Sequence, residues 1–145
     1  ICRVAHSSGQ DQVSADQRLF QTLDTTTRNV KLPSGREFLL TDTVGFINQL
    51  PPHLVAAFRS TLKETVEADL LLHVVDRADS LYLDKMAVVE ELLDDLQVGS
   101  KPVLVVFNKI DLLGSDTVID SGMLGVSAGT GWGVEKLLHR IDEMM

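Results

Sequence analysis

Residues 101–111 read "KPVLVVFNKID": a proline, an unbroken apolar run from Val103 to Phe107, and then four residues of which three are polar. A continuous run with β-branched residues suits a strand covered on both faces, as in a parallel sheet. Upstream, "DLLLHVVD" at 69–76 has the same form and also stops on a carboxylate; "MLGVS" at 123–127 is a shorter third run. Helical patterns lie around them. "PPHLVAAFRSTLKETVEA" stacks Leu54, Phe58, Leu62 and Val66 on one face after two prolines. "DSLYLDKMAVVEELLDDLQ" opens on the capping candidates Asp79 and Ser80 and turns Leu83, Met86, Val89, Leu93 and Leu96 inward. "VEKLLHRIDEMM" closes the chain with Val134, Leu137, Leu138 and Ile141 on one face. Strands alternating with helices predict an open α/β fold. The exception is "NVKL" and "REFLL" around "PSG", which predict an antiparallel hairpin ending at Asp42 and so a mixed sheet.

The 145 residues suffice for one domain with a single core. With 44% hydrophobic and 23% charged residues the composition is globular, and no apolar run approaches membrane-spanning length. The lone Cys2 forms no internal disulfide, and no signal-like segment opens the chain, so a reducing compartment is expected: cytoplasm, or an organelle interior. A net charge of −8 argues against gripping a nucleic acid backbone, and no direct DNA binding is expected.

Ligands of open α/β sheets bind beyond the carboxyl ends of the strands, and three such ends carry polar groups here. Asp42 and Gly45 lie at the first. A carboxylate there can hold magnesium through water, and a glycine lets its N–H approach a terminal phosphate; a plain turn after a strand explains the same residues. Asn108-Lys109-Ile110-Asp111 lie at the second. A carboxylate at Asp111 can accept both N–H groups on the Watson–Crick edge of guanine, Asn108 can bridge neighbouring loops, and the stem of Lys109 can cover the base. The plain alternative is a polar loop with a solvated lysine. Ser127-Ala128 lie at the third, where small residues let a backbone N–H reach the guanine oxygen.

Taken together, "RLFQTLDTTTR", "LPSGREFLLTDTVGFI", "LPPHLVAAFRSTL", "ADLLLHVVD", "FNKIDLL" and "VSAGTGWGVEKLL" resemble the G domain of the HflX-type GTPases, a translation-factor-related family, from about Val13 to the C-terminus. The resemblance implies a three-layer P-loop NTPase fold with a mostly parallel sheet and one antiparallel hairpin strand, spanning residues 13–145. Residues 1–12 stand outside it. It implies GTP hydrolysis with magnesium, binding to the large ribosomal subunit, and splitting of stalled ribosomes. A monomer without membrane contact is expected.

Carried over to this sequence, the nucleotide-binding positions are Phe20, Gln21, Thr22, Leu23 and Asp24; Asp42, Thr43, Val44 and Gly45; Asn108, Lys109, Ile110 and Asp111; and Ser127 and Ala128. Thr22 and Asp42 match the magnesium positions, with Thr26 the alternative to Thr22, because "DTTTR" offers several hydroxyls and the family commonly has proline where Thr25 stands. Phe46 occupies the place of the glutamine that orients water in many GTPases. A phenyl ring cannot do that, so no residue is assigned as catalytic, and slow hydrolysis completed by the ribosome is implied.

One element of the resemblance is lacking. No Gly-x-x-x-x-Gly-Lys-Ser/Thr phosphate loop occurs in the sequence, and no lysine directly follows a glycine. In the family that loop, with a strand before it and a helix after it, precedes the segment resembling "VSADQRLFQTLD"; here that space holds "ICRVAHSSGQDQ". The expectation is a truncated G domain without its N-terminal strand, phosphate loop and first helix. It is impaired in binding and has two unpaired sheet edges, with "ICRVA" at most imitating the end of the strand. The alternative function is a non-catalytic interaction module that keeps the fold. His73 is expected as a core histidine, and His6, His53 and His139 share no zinc spacing. Glu90, Glu91, Asp94 and Asp95 form a solvated helix face. Trp132 either covers the nucleotide loop or packs.

Overall fold

The computed structural model describes residues 2–6, 26–42, 67–95, 98, 100–113 and 122–145. They form six strands, β1 (Cys2–His6), β2 (Thr26–Lys31), β3 (Glu37–Asp42), β4 (Leu70–Asp76), β5 (Val103–Asn108) and β6 (Leu124–Gly125), with helices α1 (Tyr82–Asp95) and α2 (Val134–Met144). A 3-10 turn, Ile110–Leu112, follows β5. One sheet holds all six strands in the order β2-β3-β1-β4-β5-β6. The helix expected over 51–68 lies almost wholly outside the described residues.

The parallel part is β4-β5-β6. β4 pairs with β5 from Leu71↔Val103 to Asp76↔Asn108, and β5 pairs with β6 at Val106↔Leu124 and Phe107↔Gly125. Alternation along β4 feeds both faces of the sheet. Leu70 and Leu72 join Leu32, Phe38 and Ile141 on one side, together with half-buried Leu137, Leu138, Met144 and Met145. Leu71 joins Ala68, Val89, Leu93 and Val98 on the other. Helices cover the two faces, which is the three-layer arrangement. Val74 at 42% and Val103 at 38% exposure depart from the expectation of full cover. In α1, Val89 and Leu93 point inward as expected, but Leu83 is 64% exposed and does not. It lies in the first turn of the helix. Asp79 leads into that helix by accepting the Leu81 N–H at 2.9 Å and pairing with Lys85.

The hairpin forms as the sequence predicts. β2 and β3 pair antiparallel from Thr26↔Asp42 to Lys31↔Glu37, and Gly35 takes φ +88°, a conformation that costs glycine little. Its tip is tied to α2: the Asp142 carboxylate accepts the Ser34 N–H at 3.0 Å, the Ser34 hydroxyl at 2.8 Å and the Arg36 Nε–H at 3.1 Å.

The central position, expected to stand empty between β3 and β4, holds β1, and the strand runs antiparallel to both neighbours. Cys2 lies opposite Asp42 and Leu72, and His6 lies opposite Phe38. Unpaired backbone groups on two facing edges are costly, and a short extended segment satisfies them in either direction. The direction has a consequence for function. The carboxyl end of β1 lies beside the start of β3, at the opposite edge of the sheet from Asp42, Asp76 and Asn108.

Among the described residues, His73 and Asp142 are acid-sensitive. His73 is 6% exposed, and burial lowers its pKa from the ordinary value, so it is held neutral. For Asp142, burial would raise the carboxyl, but the hydrogen bonds from Ser34 and Arg36 and the Arg36 charge hold it below the usual range. As pH falls, stability drops first below about 6.5, where the unfolded histidine takes a proton that the folded one resists. It drops again from about 4 downward, as pH passes through the depressed folded value of Asp142. Urea midpoints measured from pH 7 to 2.5 are expected to lose the first step in His73→Leu and part of the second in Asp142→Asn, Asp79 supplying some of the remainder.

Candidate guanine-recognition site

The carboxyl ends of β4, β5 and β6 are brought together by the parallel register. Asp76 and Asn108 are direct partners across β4 and β5, and the Arg77 N–H donates to the Asn108 carbonyl at 3.0 Å. Lys109 then turns the chain through a left-handed conformation, φ 63° and ψ 31°, which is unusual for a residue with a side chain. The turn starts the Ile110–Leu112 3-10 helix: Leu112 N–H donates to the Lys109 carbonyl at 3.0 Å, and Ile110 N–H reaches Val126 at 3.3 Å. Asp111 is thereby carried on the exposed side of a short, braced turn. Among the described residues no side chain pairs with it.

The loop after β6 is closed by its own bonds. Ser127, 1% exposed, donates its N–H to the Trp132 carbonyl at 2.9 Å, and its carbonyl accepts the Gly131 N–H at 2.8 Å. Its hydroxyl accepts the Thr130 N–H at 3.2 Å. Trp132 contributes backbone to this closure, and the residue is 61% exposed. The Ala128 N–H donates to Oδ1 of Asn108 at 3.0 Å and ties the third loop to the second. A guanine oxygen at Ala128 would have to share that donor or displace the Asn108 amide.

Asp76 was not among the residues singled out from the sequence. Its Oδ2 accepts from Lys109 Nζ at 2.6 Å, and its Oδ1 accepts the Ala78 N–H at 3.1 Å. The hydrogen bond and charge of Asp76 raise the Lys109 pKa. The signal was present in "LLLHVVD", since a carboxylate ending an apolar strand is the same feature that singled out Asp42. Next to it, Arg77 lies over the Tyr82 ring at 4.3 Å, and Tyr82 meets Phe107 edge-on with centroids 6.4 Å apart.

The other half of the expected site is less complete. Asp42 ends β3 and is exposed. Phe20, Gln21, Thr22, Leu23 and Asp24, and also Thr43, Val44, Gly45 and Phe46, lie outside the described residues. Magnesium asks for six oxygen ligands, and among the described residues no group of three or more His, Cys, Asp or Glu is arranged to hold a metal. With Asp42 as one donor, they do not make a magnesium site on their own. A cavity of about 500 Å³ beside the β5 edge, bounded by Leu104, Met123, Lys136 and His139, includes none of the site residues.

Comparison with known proteins gives the family. The model of the family described as 50S ribosome-binding GTPase matches residues 5–109. The chain belongs to that family. Its relatives place it further, as an HflX-type G domain. It is 48% identical over 134 residues to GTPase HflX of Magnetococcus marinus, covering 89% of this chain and 31% of that protein. It is 42% identical over 137 residues to GTPase HflX of Lacrimispora saccharolytica, covering 92% and 32%. For GTPase HflX of Escherichia coli the identity is 39% over 141 residues, covering 92% and 33%. The HflX-type domain thus spans about a third of the length of these curated relatives. Among solved structures, a GTP-binding protein from the archaeon Sulfolobus solfataricus in complex with GDP superposes with a TM-score of 0.71 at 29% identity, covering 82% of this chain and 43% of that one.

Gly133 holds the third loop against the sheet. It has φ +77°, and a Cβ there would lie 2.3 Å from the Gly125 carbonyl oxygen and 3.2 Å from Val126 Cα. Gly133→Ala is expected to destabilise the HflX-type domain by about 2 kcal/mol or more, read as a lower urea midpoint, and to shift the Ser127 and Ala128 amide resonances more than those of β2.

Proposed function

We propose that the chain is the guanine-nucleotide-binding domain of an HflX-like, ribosome-associated GTPase. In this reading the end that recognises the base is built and the end that holds phosphate is deficient. The Asn108–Ala128 hydrogen bond carries the proposal: it joins the two loops that would surround a base and leaves the Asp111 carboxylate presented beside them. A carboxylate accepts from both N–H groups of guanine, whereas adenine offers one donor beside an acceptor.

The sequence and the direction of β1 support the deficiency. No Gly-x-x-x-x-Gly-Lys-Ser/Thr occurs, and β1 ends at His6, opposite Phe38 and at the other end of β3 from Asp42. Four phosphate hydrogen bonds at about 1.5 kcal/mol each would be worth about 6 kcal/mol, or about four decades in affinity. Hydrolysis with magnesium, contact with the large ribosomal subunit and ribosome splitting belong, in this proposal, to a complete HflX-type protein, with Phe46 unable to orient water. That protein would work in the cytoplasm; among the described residues no helix is long and apolar enough to cross a membrane. The reversed β1 favours, for this chain, the second reading of a non-catalytic module that keeps the fold.

Calorimetric titration with GDP, GTP and ATP in magnesium buffer tests the proposal. The folded chain is expected to give no saturable heat with any of them at micromolar concentration. At millimolar concentration it should respond to guanine nucleotides over ATP, a preference abolished by Asp111→Ala. Micromolar guanine-nucleotide binding would overturn the deficiency, and a preference that survives Asp111→Ala would overturn the base-recognition reading.

A further inference from the structure

We propose that Asp76 is a positioning residue for base recognition, holding Lys109 so that its stem lies where a guanine face would rest. The inference rests on the guanine-binding reading above and extends it to a residue outside the Asn108–Asp111 tetrad. Asp76 is in register with Asn108 across β4 and β5, so its carboxylate starts from the strand neighbouring the recognition turn. One oxygen accepts from Lys109 Nζ at 2.6 Å, and the other is fixed by the Ala78 N–H at 3.1 Å. The residue that follows, Arg77, is itself held, by the Asn108 carbonyl at its N–H and by the Tyr82 ring at its guanidinium. Asp76 is therefore an anchored acceptor, and Lys109 is the flexible partner.

An unanchored lysine samples many rotamers, and a base that needs its stem as a cover must order it on binding. Tethering the ammonium before the base arrives removes part of that requirement, which is preorganisation. It also draws the ammonium to Asp76 and away from Asp111, whose carboxylate is then left to the two guanine N–H groups. The side chains of Lys109 and Asp76 are 51% and 40% exposed, so the pair contributes little to folding, and its loss should be read in binding.

The test uses the full chain, 15N-labelled, titrated with GMP and AMP while the amides of Asn108, Lys109 and Ala128 are followed. Asp76→Asn is expected to weaken GMP binding about threefold and to lower the GMP-over-AMP preference, with Asp76→Glu restoring part of both. On a Lys109→Met background, which keeps a stem and removes the charge, Asp76→Asn should have no further effect. Independently of any ligand, the Lys109 pKa followed by carbon NMR at Cε should fall in Asp76→Asn. An unchanged GMP affinity in Asp76→Asn, an equal loss on the Lys109→Met background, or an unmoved Lys109 pKa would each overturn the proposal. Equal responses of the unsubstituted chain to GMP and AMP would overturn it together with the reading it rests on, so the two failures are told apart.

Discussion

Six consecutive residues of β4 lie beside six of β5 in parallel register, from Leu71↔Val103 to Asp76↔Asn108, and the candidate site is a consequence of that pairing. Parallel neighbours end at the same edge of a sheet, so Asp76 and Asn108 meet without any loop having to find the other. The same strands supply the core on both faces, Leu70 and Leu72 toward α2 and Leu71 toward α1. A register slip of one residue would turn these leucines to the wrong faces and separate the carboxylate from the lysine it holds. Packing therefore enforces the alignment on which the proposed recognition depends.

The other half of the sheet obeys a different constraint. β3 and β4 are both apolar and both need a partner, and Cys2–His6 lies between them in the direction antiparallel to each. Backbone pairing is satisfied in that direction, but function is not indifferent to it. A G domain holds phosphate on amides that follow a strand pointing toward the ligand edge, and here the strand in that position points away. In the proposed reading, backbone pairing in this part of the sheet is complete while the phosphate end is deficient.

Much of this was legible in the sequence. The apolar runs ending in Asp76 and Asn108, the Pro33-Ser34-Gly35 turn and the spacing of Leu137, Leu138 and Ile141 each express a local rule, and each element forms. Burial of His73 followed from its place inside an apolar run. What was hidden depended on contacts distant in sequence. The ion pair of Asp76 with Lys109 and the tie of Ser34 and Arg36 to Asp142 join residues 33 and more than 100 positions apart. The reversed β1 was hidden for another reason, since a five-residue strand carries no signal of its direction and only its neighbours decide. Leu83 was misread because helical periodicity says which residues share a face and not what packs against each turn of it.

In the proposed reading this chain recognises the base and does not grip phosphate. The most direct measurement is the affinity of the folded chain for guanosine, GMP, GDP and GTP under one magnesium buffer, followed by NMR at the Asn108, Lys109 and Ala128 amides. On this reading, dissociation constants in the millimolar range that change little along the series are expected, because each added phosphate finds no cradle. Affinity that climbs by orders of magnitude from guanosine to GTP would contradict it, and would require a phosphate-binding turn at the edge where β3 and β4 end.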